Sequence, residues 1–405
     1  MPRVLYTNAN LLDGEHAAQP GACVAVQNGR IAAVGASDSV ASNPADEVID
    51  LQGSTLMPGR VMGHYHAAYR GYGEEGGSQT ATGVEQAFLA LGNVQIALKC
   101  GYTSLISAGT HFNIDVELAE AIDAGEVVGP RLVSCSRNYM PAMDAASVME
   151  DEELCMTQGP DGFRKGVLFD LERGAKIIKI FASGGHGAPE GLCMSAEEIQ
   201  AVVGVAREHG ARVRAHVAGK QQILDCVRSG VSIIDHGDET DDECIEAYLE
   251  HDVFVLPSAY VLLKAAELGG NMFGFHSDLK DFHNICGLLP KLVDAGVKLV
   301  PGDDFGIWQI PHGDYAQELV CYAEHANIAP LELIKWSTLY GGEMTGFSDL
   351  GTIAPGKVAD LLIVNGDPSS DIGVLARPEN VQAVIKGGEL VSGALPEGLA
   401  AASAG

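Results

Sequence analysis

Short apolar runs alternate with longer amphipathic segments through most of the chain, and this pattern predicts the main elements. We predict strands at 60–66, 103–108, 131–136, 176–183, 212–217, 232–237, 253–258 and 297–304. Helices are predicted between them at 83–99, 116–124, 162–173, 195–209, 221–229, 241–251 and 279–295. This repeated alternation of strand and helix predicts an α/β protein, and it favours a (β/α)8 TIM barrel over an open sheet.

Strand signals at both ends of the chain predict a second, smaller domain. Asn28-Gly29 and Gly387-Gly388 each separate two apolar runs, as the turns of tight hairpins do. Neither end has enough apolar surface to fold alone. We therefore expect a small β-sandwich-like domain from 1–57 and 352–396, a barrel from 58–351, and a disordered tail at 397–405, which is rich in alanine and glycine.

Local signals support the helix boundaries. Ser195 stands just before a helical segment. Glu198 lies three residues after Ser195, which is the spacing of a capping box. Gly210 and Gly296 stand where helices end, at the position that favours a left-handed residue. Neither a G-x-G-x-x-G motif nor a phosphate-binding loop opens any of these helices, which argues against a nucleotide-binding fold.

Composition and charge narrow the possible partners. The chain has 405 residues, 46% of them hydrophobic, and a net charge of -29, which argues against nucleic acid as a partner. Polar residues interrupt the most apolar helical run at 87–98 and no basic and apolar leader is present, so we expect a cytoplasmic protein without a membrane span. The nine cysteines form no CxxC pair and are expected to be reduced.

Ionisable side chains stand where five of the predicted strands end. They are His64 and His66, Lys179, His216, His236, and Asp303 with Asp304. The active face of a barrel lies at the carboxyl ends of its strands, so these groups are expected to converge there. A single buried histidine is more often structural than a ligand, but so many together favour a metal site. Imidazole and carboxylate ligands suit zinc, manganese, iron or cobalt.

Lys179 has two interpretations. As an ammonium group it would repel a cation and would be an ordinary ion-pair partner. If it reacted with carbon dioxide, the resulting carbamate would offer two oxygens and could bridge two cations. The sequence alone leaves both interpretations open.

Several motifs in their order along the chain resemble those of the amidohydrolase superfamily. They are His64-Tyr65-His66, the segment 178–185, Arg214-Ala215-His216, Asp235-His236-Gly237, Gly302-Asp303-Asp304 and the segment 350–361. The resemblance covers about 1–390 and is strongest to the imidazolonepropionase-like branch, which includes Xaa-Pro dipeptidases. It implies a binuclear site with His64, His66 and Asp304 on one metal, His216 and His236 on the other, and carboxylated Lys179 between them.

The chain departs from that branch at two positions near the predicted ligands. Met62 stands where the branch usually has an aspartate, which removes a polar support for the first two histidines. Gly302-Asp303-Asp304 replaces the usual Gly-Thr-Asp, so Asp303 competes with Asp304 as the candidate ligand. We assign Asp304 because it stands at the offset of the motif.

The resemblance implies hydrolysis of an amide or amide-like carbon–nitrogen bond. A hydroxide bridging the two metals would attack the carbonyl, and Asp304 would carry its proton to the leaving nitrogen. One alternative is an Xaa-Pro dipeptidase or basic-residue carboxypeptidase. Others are an oxidative iron or manganese enzyme on the same scaffold and a catalytically silent interaction protein.

Four residues in loops are candidates for substrate contact. They are His186, Tyr139, Tyr260 and Tyr72, for which an ordinary loop or rim role is the alternative. We expect a small-molecule amide as the substrate and a homo-oligomer as the assembly. A Gly-Gly-His segment that dipeptidase relatives tend to carry after the third strand is not found in this sequence, which weakens the dipeptidase alternative.

Overall fold

A computed structural model describes residues 3–150, 154–185, 192–269, 271–272, 275–276 and 279–396. The tail at 397–405, which is predicted to be disordered, lies outside the described residues. Contacts between Cα atoms divide the chain into two compact units. Unit 1 takes its described residues from 1–61, 95–104 and 328–405, and unit 2 takes its own from 62–94 and 105–327.

The strands, in chain order, are β1 (Val4–Leu11), β2 (Gln19–Gln27), β3 (Arg30–Ala36), β4 (Glu47–Asp50), β5 (Thr55–Pro58), β6 (Arg60–Tyr65), β7 (Tyr102–Ser107), β8 (Arg131–Val133), β9 (Asn138–Pro141), β10 (Met149–Glu150), β11 (Leu154–Thr157), β12 (Ile177–Phe181), β13 (Arg212–Val217), β14 (Ile233–His236), β15 (Phe254–Leu256), β16 (Asn271–Met272), β17 (Phe275–His276), β18 (Lys298–Leu299), β19 (Leu361–Val364), β20 (Val381–Lys386) and β21 (Glu389–Gly393).

The α-helices are α1 (Gly83–Lys99), α2 (Ile114–Asp123), α3 (Gly159–Glu172), α4 (Ala196–Glu208), α5 (Lys220–Ser229), α6 (Asp242–Glu250), α7 (Tyr260–Glu267), α8 (Leu279–Ala295), α9 (Tyr315–His325), α10 (Pro330–Lys335) and α11 (Gly341–Thr345). Short 3₁₀ turns occupy Ser78–Thr80, Ile372–Ala376 and Pro378–Asn380, and a π-helical segment, Trp336–Tyr340, joins α10 to α11. Within the described ranges, no helix is both long enough and apolar enough to cross a membrane.

Unit 1 is built around one eight-stranded sheet. Its order is β21-β20-β19-β5-β1-β2-β3, with β4 paired to β1. The sheet joins the two ends of the chain, because β19 pairs with β5 in antiparallel register. Its core includes Val24, Leu56 and Ile363, each fully buried. Burial of each such side chain contributes about 1.5–3 kcal/mol, which holds strands from distant parts of the sequence together.

The hairpin predicted at Asn28-Gly29 is present in unit 1. Gln27 pairs with Arg30 across these two residues, and both have positive φ angles of 52° and 76°. A type I′ turn requires a positive φ at both central residues, and asparagine followed by glycine tolerates this conformation best. The local sequence therefore determines the register of β2 and β3.

Unit 2 contains a sheet that is parallel over most of its width. Its order is β10-β11-β9-β12-β13-β14-β15-β18, and only β10 with β11 is antiparallel. A separate sheet has the order β6-β7-β8. Helices α3, α4, α5 and α6 stand in the connections between the parallel strands, as in βαβ units. The prediction of an α/β architecture is confirmed.

Most of the predicted strands are shorter than expected, including the one predicted at 253–258, which is regular only over Phe254–Leu256. The strand predicted at 131–136 ends at Val133, because Ser136 takes a left-handed conformation with φ 67° and breaks the extended chain. The chain then resumes as β9, which is the segment that pairs with β12. The strand predicted at 297–304 is regular only over Lys298–Leu299.

Candidate metal centre

His64 and His66 stand together at the end of β6. Both are buried, and their Nε2 atoms lie 3.1 Å apart. Asp304 Oδ1 lies 3.0 Å from Nε2 of His64 and 3.3 Å from Nε2 of His66. These three side chains form a group whose ligand atoms all lie within 4.8 Å of one another, as a metal ion requires. The two-residue spacing on one strand places both imidazoles on the same face.

Oxygen atoms lie behind both rings, close to their Nδ1 atoms. Nδ1 of His66 lies 3.1 Å from the carbonyl oxygen of Gly109, and Nδ1 of His64 lies 3.3 Å from Oδ1 of Asp235. The carbonyl of Gly109 only accepts, so Nδ1 of His66 donates to it and Nε2 is the ligand atom of this ring. Two imidazole nitrogens and a carboxylate oxygen therefore face one another. This donor set fits a divalent cation, which would take the place of the protons shared between them.

Burial has opposite consequences for the imidazole and the carboxylate. Burial lowers the pKa of His66, and this favours the neutral ring that a metal requires. Burial alone would raise the pKa of Asp304, but the hydrogen bonds and charges of His64 and His66 hold it well below the usual range of a carboxyl. At neutral pH the group thus contains a neutral His66 imidazole beside an ionised Asp304 carboxylate.

A second pair of imidazoles comes from β13 and β14. Nε2 of His236 lies 2.8 Å from Nδ1 of His216, and the ring centroids are 4.4 Å apart. The ring of His236 also lies 5.9 Å from that of His64, so the two pairs are neighbours. His236 has a φ angle of 75°, a costly conformation that is common at functional sites. The structure therefore brings together all four histidines predicted from the sequence.

Lys179 lies in the same buried region, on β12. Its side chain is 1% exposed, and Nζ contacts Oδ2 of Asp235. Burial lowers the pKa of Lys179, and the negative charge of Asp235 opposes that effect. The contact is the ordinary ion pair that the sequence left open as one interpretation of this lysine.

The structure distinguishes between the two adjacent aspartates. Oδ2 of Asp303 accepts from the backbone nitrogen of Val261 at 3.0 Å, and Oδ1 accepts from the nitrogen of Asp304 at 2.8 Å. Asp303 is fully buried and holds the local backbone in place. Asp304 is the aspartate that points toward the imidazoles.

Arg214 and Asp235 hold the site together, and the sequence analysis gave them no role. Nε of Arg214 donates to Oδ2 of Asp235 at 3.0 Å, and Nη1 donates to the carbonyl oxygens of Gly63 and Ser107 at 3.0 and 2.8 Å. Both side chains have no exposed surface. Charged residues inside apolar strands were the available signal, because a buried charge must be paired.

The four predicted substrate residues have different surroundings. The hydroxyl of Tyr139 donates to Asp170, and the side chain is fully buried. Tyr260 is the first residue of α7 rather than a loop residue, and it is 5% exposed. Tyr72 is half-buried, with its ring stacked on Tyr69. His186 lies outside the part of the chain that the structure describes.

Comparisons with known proteins agree with this geometry. A family model described as "Amidohydrolase family" matches residues 55–391. Ochratoxinase from Aspergillus niger is 29% identical over 377 residues, which cover 84% of this chain and 76% of that protein. Imidazolonepropionase from Salinispora arenicola is 25% identical, and the match covers 92% of this chain and 93% of that protein.

A solved structure gives the same result. The crystal structure of a Xaa-Pro dipeptidase with bound methionine in the active site superposes with a TM-score of 0.85 and 25% identity, and covers 96% of this chain and 99% of that one. The predictions of the superfamily and of a hydrolase that acts on carbon–nitrogen bonds are confirmed by these matches. The chain belongs to the amidohydrolase family.

Proposed function

We propose that this hydrolase cleaves the amide bond of a small molecule with the help of two divalent cations, zinc first, with manganese, iron or cobalt as the alternatives. The facing Nε2 atoms of His64 and His66 beside Asp304 are the observation that carries this proposal. These three residues would hold one cation, and His216 and His236 would hold the other. When bound, such cations polarise a carbonyl and lower the pKa of water.

Asp304 is the residue proposed to move the proton. Its carboxylate is ionised at neutral pH, because His64 and His66 hold its pKa well below the usual range despite burial. An ionised carboxylate beside the reacting carbonyl accepts a proton from the attacking water and then donates it to the leaving nitrogen. One residue thus acts first as general base and then as general acid.

Lys179 is proposed to carry a carboxyl group. Its neutral amine would add to carbon dioxide, lose a proton and become a carbamate, which offers oxygen ligands to both cations. The lowered pKa of the buried amine supports this reaction. A carbamate carbon signal after labelling with ¹³C-bicarbonate tests it, and Lys179→Ala must remove that signal.

The scaffold of the site is proposed to be a closed (β/α)8 barrel. The nitrogen of Gly63 donates to the carbonyl oxygen of Pro301, and the nitrogens of Lys176 and Ile177 donate to the carbonyl oxygen of Ser134. These bonds link the chain around β6 and β8 to the chain around β18 and β12, as closure requires. We retain 58–351 as the barrel and 1–57 with 352–396 as the small domain.

The cellular setting is proposed from composition. The charge of -29 supports an enzyme that does not bind nucleic acid, and the polar residues that interrupt the apolar run at 87–98 support a cytoplasmic enzyme that does not span a membrane. We also propose a homo-oligomer. Light scattering of the purified protein tests the assembly, and a monomer at working concentration would contradict it.

Dipeptide hydrolysis is the second candidate function. Two similar solved structures are described as enzymes of this kind: the Xaa-Pro dipeptidase and a prolidase complexed with N-methylphosphonate-L-proline, which is 26% identical with a TM-score of 0.82. A panel of Xaa-Pro dipeptides, peptides ending in arginine or lysine, and N-acyl amino acids separates the candidates. Oxygen consumption during turnover would instead indicate the oxidative alternative.

Asp304→Asn tests the hydrolytic proposal. Metal content and turnover are measured on this variant and on the matched control Asp161→Asn, whose carboxylate lies on the surface of α3 with 99% of its side chain exposed. Asp304→Asn is expected to lose at least ~100-fold in kcat, the usual contribution of general acid–base catalysis, with an unchanged melting temperature. Full turnover by Asp304→Asn would refute the proton-transfer role.

A further inference from the structure

A row of aromatic rings leads away from the candidate ligand His66. The ring of Tyr69 stacks on His66 with centroids 4.1 Å apart and planes 9° apart. Tyr72 stacks on Tyr69 at 4.0 Å and 16°. The row continues through His111, whose ring meets Tyr72 edge-on at 6.5 Å, to Phe112, whose ring lies 6.2 Å from His111. Along the row, His66 and His111 are buried, Tyr69 and Tyr72 are half-buried, and Phe112 is exposed.

Phe112 at the outer end of this row is both exposed and conformationally strained. Its side chain is 41% exposed, and its φ angle is 55°. A bulky residue rarely adopts the left-handed region, and it does so at sites where the surrounding structure enforces it. One side of its ring lies beside Gly83 at the start of α1, and the exposed part of the ring is available for contact with a ligand.

The loop that carries Phe112 is held by buried polar contacts. Asp115 accepts from the hydroxyl of Thr110 at 2.9 Å and from the backbone nitrogens of Cys135 and Ser136 at 2.7 and 3.1 Å. The hydroxyl of Ser136 donates to the side-chain oxygen of Asn113 at 2.9 Å. The ring is therefore preorganised, because these contacts hold the backbone on which it stands.

Trp308 is a second exposed aromatic residue, and its backbone is hydrogen-bonded to that of Tyr72. It is 38% exposed, and its backbone nitrogen donates to the carbonyl oxygen of Tyr72 at 3.3 Å. The nitrogen of Tyr72 in turn donates to the carbonyl oxygen of Gly306 at 3.1 Å. The loop after β6 and the loop that follows Asp304 are thus hydrogen-bonded to each other where their aromatic side chains stand.

We propose that Tyr72, Phe112 and Trp308 form a subsite for a planar aromatic group of the amide substrate. The stacked rings of Tyr69 and Tyr72 link this subsite to His66 and so to the reacting centre. A flat ring stacks on exposed aromatic faces and also removes their apolar area from water, whereas a saturated ring of the same size gains only the second effect. The proposal rests on the amide hydrolysis proposed above, and it makes the aromatic group a determinant of substrate choice.

Matched substrates test this subsite. N-benzoylglycine and N-cyclohexanecarbonylglycine differ in whether the ring can stack, and the analogous pair N-acetylphenylalanine and N-acetylcyclohexylalanine carries the ring on the amine side. The wild-type protein is expected to favour the aromatic member of at least one pair by roughly three- to tenfold in kcat/KM, the range that stacking provides. Tyr72→Leu and Phe112→Leu are expected to reduce this ratio toward one, mainly through KM.

Two variants serve as controls for this ratio. Tyr72→Phe keeps the ring and must keep the preference. Phe88→Leu removes an exposed phenylalanine of α1 that is 72% exposed and is not part of the aromatic row, and it must also keep the preference. Equal kcat/KM for both members of both pairs in the wild type, or an unchanged ratio in Tyr72→Leu and Phe112→Leu, overturns the subsite.

A binding measurement separates the subsite from the proposed reaction. Titration calorimetry with benzamide and cyclohexanecarboxamide needs no turnover, and a change in tryptophan emission that is lost in Trp308→Phe reports the same event. Selective binding of benzamide that is lost in Tyr72→Leu and Phe112→Leu supports the subsite, even if no amide is hydrolysed. The absence of hydrolysis would contradict only the proposed function. Equal or absent binding of both amides overturns the subsite even if hydrolysis is observed.

Discussion

Arg214→Met is the perturbation that probes the construction of the site most sharply. The guanidinium of this residue on β13 pairs with Asp235 on β14 and donates to the carbonyl oxygens of Gly63 on β6 and Ser107 on β7. All of these contacts are buried, with no exposed surface on Arg214 or Asp235. A methionine of similar length fills the volume but satisfies none of these partners. The four strands that surround the candidate ligands would then lose a common contact.

The magnitude follows from what the variant leaves unpaired. Removal of one partner of a buried ion pair costs about 3–5 kcal/mol, since the other charge stays buried. Asp235 keeps Lys179 and His64, which lowers this cost, while the carbonyls of Gly63 and Ser107 each lose a donor, which raises it by about 1–3 kcal/mol. We therefore expect Arg214→Met to destabilise unit 2 by roughly 3–5 kcal/mol in free energy of unfolding.

Urea unfolding of the metal-free protein measures this change. Arg214→Met and Asp235→Leu are compared with the double variant, which removes both charges. The loss of unfolding free energy in the double variant is expected to be smaller than the sum of the two single losses by about 1–3 kcal/mol. Arg228→Met is the control, because that arginine is half-exposed and pairs with Glu243 on the surface, where ion pairs contribute little. Additive effects, or a loss below ~1 kcal/mol in Arg214→Met, would refute the interpretation.

Two further predictions concern backbone space and pH. Gly302→Ala is expected to lower the unfolding free energy by roughly 2–4 kcal/mol, because Gly302 has a φ of 156° and an added Cβ would lie 2.2 Å from the nitrogen of His64. Gly204→Ala, in α4 with open space around it, should instead stabilise the protein by about 0.5–1 kcal/mol. Equal unfolding midpoints for the two variants would contradict this prediction. Burial raises the pKa of Glu318 from 4.5 to about 8, so the folded protein keeps a proton that the unfolded chain loses, and stability falls by roughly 1.4 kcal/mol per pH unit from about 4.5 upward until it levels off near 8. Glu318→Gln is expected to lack this decline, and parallel stability curves for variant and wild type between pH 5 and 8 would show that Glu318 is ionised in the folded protein.

The sequence predicted the parts of this fold that depend on local chemistry. The capping box at Ser195 and Glu198 is present, with the serine hydroxyl accepting from the nitrogen of Glu198 at 3.3 Å. Helix α1 has the predicted bounds, Gly83–Lys99. The two-residue spacing of His64 and His66 was sufficient to place both rings on one face. Each of these features is determined by residues close together in the chain.

Features that depend on distant residues were not predicted. The end of β8 depends on the left-handed Ser136, and no preference of serine for that conformation marks the position in advance. Helix α7 begins at Tyr260, which the pattern left in a loop. The pairing of Arg214 with Asp235 joins adjacent strands, and the hydrogen bonds between Tyr72 and the segment 306–308 join loops more than two hundred positions apart. Such pairings are determined by packing, which periodicity does not encode.

A crystal structure of the purified protein, with anomalous diffraction data collected at the absorption edge of the metal it contains, tests the proposed metal site directly. Two peaks per chain are expected. One should lie at about 2.0–2.2 Å from the ligand atoms of His64, His66 and Asp304, and the other at the same distance from the nitrogens of His216 and His236. Peaks elsewhere, or a fully active protein with no metal at these side chains, would contradict it.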